Sequence, residues 1–238
     1  MKRGSFPLAA AIAAAGFAAP LAAQIPDESL APRMRAGGGL VIAKPVGDFG
    51  EVVDLGVGLG GHFILYITPG GVLSLRADAG FLNYGNETNR VCLSTTVGCR
   101  ITVDLTTSNN IVHGLIGPQL MVPGGPVRPY VNGGIGFSYF ATTSSVEGST
   151  DNEPFANTTN FDDGAFSWGA GGGLYIPLSI SATADFAIDI AARYTATREI
   201  EYLREGDIRD LPDGSIEFTP RRSDADLVTF TVGVSVAF

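Results

Sequence analysis

The stretch VTFTVGVSVAF, residues 228–238, carries two different faces on one short segment. Val228, Phe230, Val232, Val234, Val236 and Phe238 share one parity, and Thr229, Thr231, Gly233, Ser235 and Ala237 share the other. An apolar residue at every second position marks a β-strand with one greasy side and one small or polar side. The rule repeats at residues 72–84, where Leu73, Leu75, Ala77, Ala79 and Phe81 oppose Ser74, Arg76, Asp78 and Gly80. It repeats again at 185–195, where Phe186, Ile188, Ile190, Ala192 and Tyr194 oppose Asp185, Asp189 and Arg193. A slip of one residue in any of these would turn the charges toward the apolar surroundings.

Residues 34–43, 55–67, 111–122, 128–140 and 166–178 follow the same alternation, less cleanly where glycine stands in. The sum is eight strands of about 10 to 13 residues, long enough for a tilted strand to cross a bilayer. The connections alternate in length. Residues 68–71 (TPGG), 123–126 (PGGP) and 179–183 are short turns, whereas 44–54, 85–108, 141–165 and 196–226 are long, polar and irregular. Short turns on one side and long loops on the other predict a closed antiparallel up-and-down transmembrane β-barrel, with periplasmic turns and extracellular loops. Ten strands result instead if the fourth loop hides a hairpin near residues 216–219. The third loop (TTSSVEGSTDNEPFANTTNFDDG) has little to order it.

Aromatic placement agrees with this architecture. Phe81, Phe137, Tyr139, Phe166, Trp168, Tyr194 and Phe230 fall near the outer rim of the apolar face, and Phe63, Phe186 and Phe238 near the inner rim. Two girdles around an aliphatic band suit a lipid-facing surface. A soluble sandwich, with the same aromatics as its core, is the competing arrangement, since alternation is common to both.

Composition narrows the class further. Of 238 residues 45% are hydrophobic and 16% charged, with 32 glycines and no G-X-Y period, which excludes collagen, coiled coil and a disordered chain. A net charge of −9 argues against nucleic acid as a partner. Past the first residues no apolar run reaches about 20, so helices do not span a membrane here. Met1, Lys2 and Arg3, then LAAAIAAAGF, then AAPLAA read as a secretory signal peptide over residues 1–23, with the barrel over 24–238. An uncleaved anchor is disfavoured by Pro7, Gly16 and Pro20. Export permits Cys92 and Cys99 to pair across a short loop, the alternative being two free thiols.

Parity also assigns an interior. Arg35, Arg76, Asp78, His113, Gln119, Tyr130, Asn132, Tyr175, Asp185, Asp189 and Arg193 point inward. Eight strands leave an interior only wide enough for such side chains. Arg76 and Asp78 on the third strand can meet Asp189 and Arg193 on the seventh, and buried charges of both signs should pair. That predicts a polar plug, with a narrow ion path as the alternative. The segment GVGLGG (residues 56–61) matches G-x-G-x-x-G, but HFILYITPGG follows it, a strand and turn rather than a phosphate-binding helix. His62 and His113 stand in no nucleophile motif, so no enzyme is expected, and no catalytic residue, cofactor or metal is assigned.

The leader, the eight alternating segments, the strand GPVRPYVNGGIGFSYF and the terminal TFTVGVSVAF together resemble the small OmpA/OmpX-type outer-membrane barrels of Gram-negative bacteria, including opacity-type surface proteins. The resemblance implies location in the bacterial outer membrane, with lipid and lipopolysaccharide around the wall. It also implies an insertion signal at Val234, Val236 and Phe238, read by the outer-membrane insertion machinery. It carries no shared activity. The expected role is therefore anchoring and display of extracellular loops, for envelope structure or surface interaction with an unidentified ligand. The alternative is a narrow pore or small transporter for ions or small hydrophobic molecules. The mixed charges of the fourth loop suit lipopolysaccharide and its bridging cations, or simply solvent.

Overall fold

Alternation alone leaves barrel and sandwich open, and exposure decides between them. In the computed structural model, which describes residues 33–92, 102–148, 151–180, 184–203, 208–210 and 216–238, the apolar parity points away from the protein. Leu40 and Phe137 are 69% exposed and Val234 is 64%, while Ser235 and Ala237 of the same strand are buried. A sheet whose greasy face is its outside belongs in lipid.

Eight strands close on themselves as one barrel, each paired with its neighbours in the chain and the last with the first. They are β1 (Met34–Val46), β2 (Gly56–Tyr66), β3 (Leu73–Cys92), β4 (Thr102–Met121), β5 (Arg128–Gly148), β6 (Asp151–Ile180), β7 (Asp185–Thr197) and β12 (Asp226–Ala237). All neighbours are antiparallel, and closure pairs the first strand with the last, Gly39 opposite Gly233. The aromatics of both predicted girdles, from Phe81 and Trp168 to Phe63 and Phe238, lie exposed on the outer face.

The long connections depart from their predicted irregularity. β3 and β4 remain paired out to Cys92 and Thr102, and β5 and β6 out to Gly148 and Asp151, so the second and third loops are hairpins that extend the wall. Their order comes from the continuing backbone ladder and from polar cross-strand bonds, such as Thr88 to Thr106 at 3.1 Å and Thr142 Oγ1 to Asn109 Oδ1 at 2.7 Å. The inward side chains Asn109, Thr142 and Ser144 are buried yet as polar as the outward ones, so the period-two signal fades while the pairing persists. The fourth loop forms two small ladders, β8 (Ile200–Tyr202) with β11 (Arg221–Ser223) and β9 (Ile208–Asp210) with β10 (Ile216–Phe218). The suspected hairpin at 216 is real, yet it stands outside the wall and the strand count is eight. The first loop contains one helical turn, α1 (Gly47–Gly50). Cys92 ends β3, whereas Cys99 and the predicted leader lie outside the described residues.

Candidate functional site in the barrel lumen

Inward-facing residues fill the lumen in three levels. At the periplasmic floor Arg35 donates from Nη1 to Ser235 Oγ (2.7 Å), from Nε to the Tyr66 hydroxyl (2.9 Å) and from Nη2 to Asp185 Oδ2 (3.2 Å). Arg128, from β5, pairs with the same Asp185 oxygen. Tyr130 and Tyr175 stack with ring centroids 4.5 Å apart, and the Arg35 guanidinium lies 4.6 Å from the Tyr175 centroid. Three strands thus supply two cations and one anion, held over an aromatic pair.

At mid-lumen Asp78 is the hub. It accepts from Arg76 Nε at 2.8 Å on its own strand and from Arg193 Nη2 at 2.7 Å across the barrel. Arg193 also donates to Asn132 Oδ1 at 2.9 Å, and Arg76 to Gln119 Oε1 at 2.9 Å. Asp189 takes a different partner from the expected arginine, accepting the Tyr130 hydroxyl at 2.7 Å with His62 Nδ1 at 3.7 Å. Arg76 is already engaged by Asp78, Gln119 and Tyr175. Between these groups lies a cavity of about 60 Å³ bordered by His62, His113, Asn132, Asp189 and Arg193. Its two imidazoles fit because glycine stands opposite each. A Cβ on Gly80 would come within 2.4 Å of His113 Cε1, and one on Gly37 within 2.6 Å of His62 Cε1.

The extracellular mouth is apolar. Phe49, delivered by α1, is fully buried against Tyr202, Tyr84 and Phe140 at centroid distances of 4.9, 5.6 and 5.8 Å, all edge-on. Val41, Leu82, Ile111, Ile200 and Leu227 belong to the same cluster, as does Val53 from the first loop, and the Tyr84 hydroxyl donates to the Leu203 carbonyl at 3.2 Å.

The structure therefore places Arg76, Asp78, Asp185, Asp189 and Arg193 inside, Asp185 at the floor and the other four at mid-lumen, and joins the two through Tyr175, which accepts from Arg76 Nη1 at 3.2 Å, and Tyr130, which donates to Asp189. Sequence reasoning missed His62, Arg128 and Ser235 as lumen partners and the whole aromatic cap. Phe49 did leave a trace, as a lone ring between Asp48 and Gly50 in a polar loop. Val234 and Phe238 lie exposed on the outer face at the end of the chain. Among the described residues no three His, Cys, Asp or Glu side chains converge as a metal site.

A family model described as the outer membrane protein beta-barrel domain matches residues 9–238. No curated protein matches the chain. Among solved structures it is similar to Neisserial surface protein A, at 10% identity over 86% of this chain and 97% of that one, TM-score 0.46. It is similar to Ail, the attachment invasion locus protein of Yersinia pestis, at 12% identity over 87% and 99%, TM-score 0.44. It is also similar to OprG from Pseudomonas aeruginosa, at 14% identity over 87% and 96%, TM-score 0.43.

Proposed function

Because this chain belongs to the outer membrane protein beta-barrel domain family and so resides in the bacterial outer membrane, we propose that its barrel works as an anchor displaying the extracellular hairpins and fourth-loop ladders. The observation carrying this reading is a lumen occupied at three successive levels by interlocking side chains. Transport needs a continuous path, and display does not. The reading is non-catalytic, since the lumen arginines Arg35, Arg76 and Arg193 are each held by a carboxylate and by hydroxyl or amide oxygens rather than grouped around a nucleophile.

The same proposal includes the exported leader over residues 1–23, a Cys92–Cys99 bridge at the tip of the second hairpin, and a terminal strand whose Val234, Val236 and Phe238 the insertion machinery reads. Lipopolysaccharide is the partner proposed at the outer rim, where Arg198, Glu199, Arg222 and Asp224 offer both signs of charge. The mid-lumen cavity favours a second reading, a narrow pore, because it has room for roughly four waters.

Conductance separates the two. The refolded mature chain in a planar bilayer, its folding checked by the gel shift between boiled and unboiled samples, is expected to be electrically silent. Reproducible current steps that change in Asp78→Asn would establish the pore instead.

A further inference from the structure

The two ends of the lumen are closed by different means. Wall residues make the floor: Arg35 on β1, Arg128 on β5 and Asp185 on β7, over stacked Tyr130 and Tyr175. A loop makes the cap. Phe49 arrives on a single helical turn whose N-cap has no side-chain hydrogen bond. That turn opens at Gly47, which has φ +64 and nothing within 4 Å of where a Cβ would sit. Among the described residues the side-chain bond tying this loop is Lys44 Nζ to the Asp54 carbonyl, 2.9 Å, on the exposed surface.

The seat under the cap adjoins the polar cavity. Val41 belongs to the apolar cluster around Phe49 and also lines the cavity. On β4 the cluster residue Ile111 and the cavity residue His113 are one pleat repeat apart, roughly 7 Å. His62 Nε2, on a side chain 6% exposed that lines the cavity, has no protein partner.

We propose that Phe49 is a displaceable stopper in a blind, outward-opening pocket that binds a small aromatic molecule bearing a hydrogen-bonding head. The ring takes the seat between Tyr84, Phe140 and Tyr202, which already holds a ring in three edge-on contacts. The head enters the cavity, where Asn132, His113 and His62 offer unlike polar groups. A volume of about 60 Å³ admits a hydroxyl or carboxamide head. The floor stays shut, so the pocket receives and does not conduct. This goes beyond display and stands whether or not the hairpins meet a partner.

The test is a ¹⁹F NMR titration of 4-fluorophenol into the refolded mature chain in detergent, beside Phe49→Ala, Phe49→Leu and the double variant Phe49→Ala/Tyr202→Ala, each checked by gel shift. A built-in ring competes with an added one. Saturable binding to the native chain is therefore expected, at least tenfold tighter in Phe49→Ala, intermediate in Phe49→Leu, and lost in the double variant, which also controls for partition into micelles. Binding to Phe49→Ala with none to the native chain would make Phe49 a fixed core residue and overturn the proposal, as would equal binding by both or by the double variant. If Phe49→Ala does not fold, Phe49→Leu decides on the same comparison with the native chain. Conductance distinguishes failure of this proposal from failure of the display reading, because Phe49→Ala stays silent over a blind pocket and conducts only if the lumen is a gated pore.

Discussion

Asp78 sits between two guanidiniums, and that position sets its worth. Replacing a buried pair by well-packed apolar groups is often neutral, but removing one partner strands the other. Asp78→Asn leaves Arg76 and Arg193 without their shared carboxylate, so it is expected to cost about 3–5 kcal/mol in urea unfolding from lipid vesicles. Asp189→Asn should cost less than about 1 kcal/mol, since an amide oxygen still accepts from Tyr130 and no arginine is stranded. Equal costs for the two would contradict the hub geometry. Glycine shape is tested by a cycle. Gly80→Ala forces its methyl against His113 and should cost about 1–3 kcal/mol, a cost that shrinks in a His113→Ala background. Purely additive effects would show that the imidazole is not what the glycine accommodates. Parity in the sequence oriented all five charged residues inward, but it could not choose Tyr130 over an arginine for Asp189. Partner choice depends on the heights at which strands from opposite sides of the closed wall present their side chains.

Among elements, β12 and the β3–β4 hairpin behave differently because one side of β12 meets lipid while both sides of the hairpin tip meet water. Val232→Arg, on the lipid face, should destabilise by about 2–4 kcal/mol if it lies near the bilayer midplane. Thr88→Lys, on the hairpin, should cost no more than about 1 kcal/mol by the same unfolding measurement, the worth of its exposed cross-strand bond to Thr106. At that tip Arg90 donates from Nε to Asp104 Oδ1 at 2.8 Å and holds the Asp104 carboxyl below its ordinary range. A lowered carboxyl favours the paired state above the ordinary value of about 3.9, and this contribution is lost as pH falls through the lowered one. The ¹³C carboxyl signal of Asp104 should accordingly titrate below that of a free aspartate and move back up in Arg90→Gln. An unmoved midpoint would mean that the pair does not form in solution. These hairpins were illegible as strands because period-two patterning reports a contrast between two environments. In Thr102 to Thr107 and Ala141 to Val146 the buried Thr142 and Ser144 are as polar as their outward neighbours, so the sequence reads as loop although the backbone pairs as sheet.

For the molecule as a whole, the wall is a cylinder with short turns at one end and tall hairpins at the other. Thr88→Cys is expected to react with an impermeant thiol reagent on intact cells, and Gly124→Cys only after the outer membrane is permeabilised. The reverse pattern would invert the topology. The terminal strand and its repeats determined the eight wall segments and their inward and outward parity, because each follows from a residue's local choice between two environments, whereas the exposed apolar face and the closed strand order chose lipid over a sandwich core and eight strands over ten. What only closure decided was contact between distant levels. Phe49 meets Tyr202 and Phe140, Arg128 meets Asp185, and the lumen separates into floor, cavity and cap. Such meetings depend on the stagger of eight strands and on loops folding back over the mouth, and no periodicity along the chain encodes the distance between two points on opposite sides of a barrel.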